Sequence, residues 1–158
     1  MTNGLNSFLE NQDYILALTF KKMETTKTLL SKLWIFLTMN YIFCDVFSLY
    51  NSSFLNKLIT GKVDGIEFTE PFLLYFAIIM EIPMLMIMLS IILKTKINQI
   101  INMIVGVLMI IIQIGSLVTG KNSLHYVFFS IIELITLLVI IYKAYKWYNP
   151  KPITNSYI

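Results

Sequence analysis

The chain has no arginine, one histidine and one cysteine among 158 residues, and charged side chains make up only 13% of it. Each shortage closes off a class of function. The lone cysteine, Cys44, permits neither an internal disulfide nor a Cys-x-x-Cys redox pair. The lone histidine, His125, excludes bis-histidine haem ligation, and with no Glu-x-x-His pair there is no basis for a di-iron or structural zinc centre. No metal and no cofactor is therefore expected. The twelve basic residues are all lysines clustered near the ends of apolar runs, which leaves no basic groove for nucleic acid. The first 28 residues carry Glu10, Asp13 and Glu24 and lack an apolar stretch followed by a small-residue cleavage site, so no removable signal peptide is expected.

What is present in quantity is apolar surface. Hydrophobic residues make up 57% of the sequence, more than one small globular core can hide, so the natural solvent is lipid. About 20 helical residues cross a hydrocarbon core of about 30 Å. Four runs are long enough: 29–50, 71–93, 97–118 and 124–147. The expected fold class is all-α, an integral membrane up-down four-helix bundle, because short connections make successive spans antiparallel. Residues 1–28 read as a cytoplasmic amino-terminal tail, either partly ordered or resting on the membrane surface as an interfacial helix around the apolar patch 14–20. Residues 148–158 read as a second cytoplasmic tail.

The linker 51–70 reads as an outer cap. Phe54, Leu55, Leu58 and Ile59 recur at helical spacing after Asn51-Ser52-Ser53, Gly61 ends that helix, and Asp64-Gly65 marks a turn. Thr69 is placed to cap the second span, with Pro71 in its first turn. Lysine placement sets the orientation. Lys21, Lys22, Lys27, Lys32, Lys94, Lys96, Lys143, Lys146 and Lys151 lie toward one side, against Lys57, Lys62 and Lys121 on the other. The positive-inside rule puts both termini in the cytoplasm. The preference for lysine over arginine and the abundance of isoleucine fit an AT-rich bacterial coding sequence, hence a bacterial inner membrane. Trp34, Tyr50, Tyr142, Tyr145, Trp147 and Tyr148 suit membrane interfaces.

Each span carries a polar or small-residue stripe at spacings of three and four, expected to face the interior. The stripes are Ser31, Trp34, Thr38, Tyr41, Asp45 and Ser48 in the first, and Leu74, Ala77, Glu81, Met84 and Met88 in the second. Gln99, Asn102, Gly106, Gln113, Ser116 and Gly120 form the third, and Tyr126, Ser130, Glu133, Thr136, Ile140 and Ala144 the fourth. Leu33, Ile35, Phe36, Ile42, Phe43 and Phe47 are left to meet lipid. Met80, Met84, Met86 and Met88 read as flexible filling, not as a soft-metal site.

Depth isolates Asp45, Glu81 and Glu133. A charge at the bilayer centre costs about 2.5–3.5 kcal/mol or more, and no basic residue lies within the central part of any span. The acids must therefore be protonated, share hydrogen bonds with one another, or hold a cationic guest. The first two make them helix glue; the third makes them a site. The residues expected to bind ligand are Asp45, Glu81 and Glu133 as the acidic centre, with Tyr41, Gln113, Tyr126 and His125 as hydrogen-bonding neighbours. His125, at a helix start, reads first as an interfacial hydrogen-bonder. No catalytic residue is assigned.

Several stretches carry a family resemblance: Leu33-Trp34-Ile35-Phe36 leading to Asn40 and Asp45, Thr60-Gly61 with Gly65-Ile66, and Ala77 before Glu81-Ile82-Pro83. Leu89-Ser90, Asn98, Asn102, and His125-Tyr126 leading to Phe128-Phe129 and Glu133 continue it. Over roughly 29–147 the chain resembles the DoxX-like group of small four-helix bacterial membrane proteins. The resemblance implies fold and membrane location, and for some members a quinone-linked redox role, although no thiol pair, haem ligand set or flavin loop supports that chemistry here. The leading expectation is a non-enzymatic membrane protein with a buried acidic, aromatic-lined pocket for a small cationic or amphipathic ligand, or for protons. The alternatives are an accessory subunit of a quinone-linked redox or lipid-metabolism system, and a structural protein whose carboxylates only join helices. Its expected partners are the lipid bilayer and either a second copy or another membrane protein.

Overall fold

The computed structural model describes residues 2–63, 65–119 and 123–147, with only the backbone described for 2–11 and 13. Asp64, Gly120, Lys121, Tyr148, Lys151 and the tail 148–158, used above for a turn, a stripe, the topology and an interface, lie outside the described residues. The elements in order are α1 (Thr2–Leu49), α2 (Ser52–Ile59), β1 (Lys62–Val63), β2 (Ile66–Glu67), α3 (Glu70–Ile92), α4 (Thr95–Thr119) and α5 (Leu124–Tyr145). Four segments, Tyr14–Leu49 of α1 and the whole of α3, α4 and α5, are long and apolar enough to cross a membrane.

The first helix extends well beyond the expected span 29–50. No break separates a tail or surface helix at 1–28 from a span at 29–50; α1 is one helix of 48 residues, about 72 Å long at 1.5 Å per residue. The sequence between contains neither proline nor glycine beyond Gly4, so nothing interrupts the i→i−4 ladder. Tyr14, Ile15, Leu16, Leu18 and Phe20 are exposed along the extension.

The cap forms as its residues dictate. The Asn51 side chain accepts from the backbone N–H groups of Ser53 and Phe54 and so starts α2. Gly61, at φ 73°, ends it in a conformation that favours glycine. Beyond it lies an unforeseen antiparallel hairpin pairing Lys62 with Glu67 and Val63 with Ile66, turning at Gly65 (φ 90°) and joined across its edge by a Lys62–Glu67 ion pair. The Thr69 hydroxyl accepts from the Phe72 N–H at 3.4 Å, capping α3.

Three helix pairs build the interior: α1 against α3, α1 against α5, and α4 against α5, with much less contact between α3 and α4. Cross-helix bonds give the direction. Lys27 reaches the carbonyl of Ile91 and Ser31 that of Ile87. Between α4 and α5, Gln99 reaches the carbonyl of Ala144, Gln113 the hydroxyl of Ser130, and Ser116 accepts from Tyr126. Residue numbers fall on one helix as they rise on the other, so both pairs are antiparallel. Gly106 permits the close approach of α4 to α5, since a Cβ there would come within 2.7 Å of Ile141 Cγ1. Leu30, Trp34, Leu37, Met86, Met109, Leu137 and Ile140 form the fully buried core.

Trp34, on the interior stripe of α1, and Trp147 are both turned into the bundle. Trp34 is fully buried and donates to Asn102 Oδ1 at 2.7 Å, and Trp147 is buried at the end of α5. Tyr50, Tyr142 and Tyr145 are exposed, as interfacial residues would be. The interior stripes of α4 and α5 lie where the spacing put them, with Asn102, Gly106, Gln113, Ser130, Glu133, Thr136, Ile140 and Ala144 all buried. That of α3 does not. Its buried residues are Pro83, Met86 and Ser90, whereas Leu74, Ala77, Glu81, Met84 and Met88 are all exposed.

Candidate functional site: a capped cavity leading to a buried acid

Two polar clusters occupy the interior. The first lies toward the lysine-rich end. Asn102 Oδ1 accepts from Trp34 Nε1 at 2.7 Å and from Ser90 Oγ at 3.4 Å, its amide donates to Asn98 Oδ1 at 2.6 Å, and the Asn98 amide donates to the Ser90 carbonyl at 2.6 Å. Ser90, Asn98 and Asn102 are fully buried, and their polar side-chain atoms are paired. A satisfied network of this kind joins α1, α3 and α4 and leaves nothing over for a ligand. Its asparagines stood in the sequence among the family-like residues, but only their mutual contact identifies them as the bundle's fastening.

The second cluster lies at the capped end and is incomplete. A cavity of about 420 Å³ opens beneath α2 and the hairpin, with Phe54, Val63, Ile66 and Phe68 as its apolar part, Ser48, Asn51, Ser53, Ser116, Thr119, Ser123, His125 and Tyr126 as its polar part, and Lys57 at its cap side. That size is within the range of small-molecule sites. His125 joins the end of α1 to the start of α5: its Nε2 lies 3.3 Å from Ser48 Oγ and 3.1 Å from Ser123 Oγ. Ser48 gives its own proton to the Cys44 carbonyl at 2.9 Å, so the hydroxyl faces His125 as an acceptor.

From the cavity a ladder of polar groups descends between α4 and α5. Tyr126 donates to Ser116 Oγ at 2.7 Å, Ser116 donates to the Gln113 carbonyl at 2.8 Å, and Gln113 Nε2 donates to Ser130 Oγ at 2.8 Å. Tyr126, Ser130 and Glu133 follow at spacings of four and three on one face of α5, so Glu133 sits about 10 Å deeper than Tyr126. There the bonding stops. Glu133 is 1% exposed and Tyr41 6% exposed, yet Glu133 Oε1 and the Tyr41 hydroxyl have no hydrogen-bond partner among the described residues. Tyr41, Cys44, Asp45 and Tyr126 all lie within electrostatic range of Glu133.

The seven residues expected to form the site therefore divide. His125 and Tyr126 line the cavity; Gln113, Glu133 and Tyr41 lie in the column beneath it. Asp45 falls on the interior side of α1, one turn beyond Tyr41, but its side chain is exposed, so it marks the column's edge instead of its centre. Glu81 is not part of the site. It is exposed on α3, roughly 170° around the helix from the face formed by Pro83, Met86 and Ser90. The expected cluster of three buried acids is thus a single buried acid with a second at its margin. Cavity residues contributed by the cap, Phe54, Val63, Ile66 and Phe68, were missed because the hairpin that carries Val63 and Ile66 and leads into Phe68 is too short to leave a strand pattern. Among the described residues no group of three or more His, Cys, Asp or Glu side chains could hold a metal ion.

No curated protein and no solved structure matches this chain. One family model does, over residues 17–154, and nothing in that match links the chain to the DoxX-like proteins. The match runs from within α1 through the cap, α3, α4 and α5, and on that ground the chain belongs to DUF6326, a family of unknown function.

Proposed function

We propose that this is a multi-pass protein of the bacterial cytoplasmic membrane that binds a small amphipathic ligand in the capped cavity, with the ligand's proton-donating or cationic head directed toward Glu133. One observation carries the reading: a carboxyl oxygen and a phenol hydroxyl, both buried and both without a partner, stand at the foot of a polar ladder that starts at a ligand-sized cavity. Unpaired buried polar atoms are costly and rare in folded proteins, and intramembrane acids are commonly ligand, ion or proton sites. The apolar cap residues suit a ligand's hydrocarbon part, and the hydroxyls beside His125 suit its polar part. Helix glue, the bland role for polar residues in a bundle, is already filled by the paired Trp34–Asn102–Asn98–Ser90 network.

Lysine placement supports an orientation with both termini in the cytoplasm. Among the described residues Lys21, Lys22, Lys27, Lys32, Lys94, Lys96, Lys143 and Lys146 lie toward one end of the bundle, and only Lys57 and Lys62 lie at the cap. The cavity then opens on the outer side.

The test is thermal stability of purified protein against a series of alkylammonium ions. A ligand held at 100 times its Kd adds about 2.7 kcal/mol. Stabilisation should appear in the wild type, vanish in Glu133→Gln and persist in Glu81→Gln. An unchanged wild-type profile across the series overturns the cationic-head reading. The ladder from Tyr126 to Ser130 favours protons as the second reading; in that case pH, and not amines, alters wild-type stability, and Glu133→Gln removes the response.

A further inference from the structure

Glu81 needs its own explanation. It lies almost midway along α3, ten residues from Pro71 and eleven from Ile92, and it faces away from α1 and from the rest of the bundle. No lysine occurs between Lys62 and Lys94, and Lys94 is about 20 Å away along the helix axis. In a spanning helix this places a carboxyl at mid-depth against hydrocarbon, where nothing in lipid can bond to it. Leu74, Ile78, Glu81, Leu85, Met88 and Ile92 follow at spacings of four and three down the exposed side of α3, so a second helix laid along that side would meet all six in one seam. Ala77, one turn before Glu81, lets a second helix come close beside the carboxyl.

We infer that this face of α3 docks against the same face of a second copy, with the two Glu81 side chains paired across a twofold axis along the membrane normal. The chemistry selects a copy over an unrelated partner. Two carboxyl groups brought together can satisfy each other by sharing protons and hydrogen bonds, with no basic partner, and a twofold contact sets each residue of the seam opposite its own counterpart. The seam offers no second polar group that would call for a different partner. The inner face of α3 is already occupied by α1, and α4 barely touches it, which leaves the outer face free to accept another helix.

The proposal rests on the membrane-spanning reading, and reconstitution separates the two. Protein labelled at low density in phosphatidylcholine and phosphatidylglycerol vesicles is scored by flotation for insertion and by single-molecule photobleaching for copy number. The wild type and Glu81→Gln, whose amide also both donates and accepts, should photobleach in two steps. Glu81→Leu should raise the dimer dissociation constant at least tenfold, and Glu81→Lys should leave single steps. With Cys44→Ser as background, Leu85→Cys should form a disulfide-linked dimer under mild oxidation and Ile91→Cys, off the seam, should not. Wild-type protein that floats with vesicles but bleaches in single steps overturns the pairing alone. So does Glu81→Leu dimerising as well as wild type, or wild type recovered with a different protein in place of its copy. Protein that fails to float overturns both readings.

Discussion

Replacing Glu133 by methionine should stabilise the ligand-free protein. The two side chains are of similar size and both unbranched at Cβ and Cγ, so the substitution largely preserves packing around a position that is 1% exposed while removing an acceptor, Oε1, that has no partner among the described residues. An unpaired buried polar group costs about 1–3 kcal/mol, and methionine fills irregular space with little strain. The expected gain is of that order, about 1–3 kcal/mol, reduced by whatever the other carboxyl oxygen contributes. Unfolding in mixed micelles, followed by helical circular dichroism as the denaturing detergent fraction rises, measures it directly. The same variant should lose any stabilisation by alkylammonium ions. Stability kept in reserve for a ligand is a recognised cost of function, and the opposed signs of the two effects are its mark. A loss of about 1 kcal/mol or more in the ligand-free variant would refute this, because it would mean that Glu133 is a structural tie satisfied in the native state.

Two further substitutions test the architecture. Trp34→Phe removes the indole donor to Asn102 Oδ1 while leaving an aromatic ring in the core, and should cost about 1–3 kcal/mol in the same unfolding assay. Gly106→Val pushes a branched side chain against Ile141, whose Cγ1 would lie 2.7 Å from the new Cβ; it should cost about 1–3 kcal/mol, and Ile141→Ala should recover part of that in a double-mutant cycle.

The parts of the fold that could be read in advance were those where polar residues recur. Tyr126, Ser130, Glu133 and Thr136 share one side of α5, and an otherwise apolar helix has reason to repeat such residues only where they are sheltered. In α3 the pattern failed for a physical reason. That helix is apolar around its whole circumference, so one polar residue had to decide which side faced inward, and Glu81 was the conspicuous choice. The residue that decides it is Ser90, fully buried against Asn98 and Asn102, and a serine in an apolar helix gives little warning because its hydroxyl can bond to its own backbone. Asp45 shows the limit of periodicity from the other side. Its helical position is interior, but burial depends on whether a neighbour covers that level, which spacing does not encode. The continuity of α1 through residue 28 was not legible, because a change from polar to apolar composition does not say whether a helix runs on; a helix needs proline, glycine or a competing cap to end.

The length of α1 has a mechanical consequence. Its hold on the neighbouring helices begins near Met23, which lies 3.7 Å from the Thr95 hydroxyl, and is firm by Lys27 and Ser31. From Lys27 to its start at Thr2 the helix runs on for about 37 Å. A stiff rod clamped at one end acts as a lever: a tilt of about 5° at the clamp moves the far tip by about 3 Å, a displacement larger than most side-chain contacts tolerate. Any rearrangement beneath the cap that tips α1 against α3 would thus arrive, enlarged, at the opposite surface of the molecule.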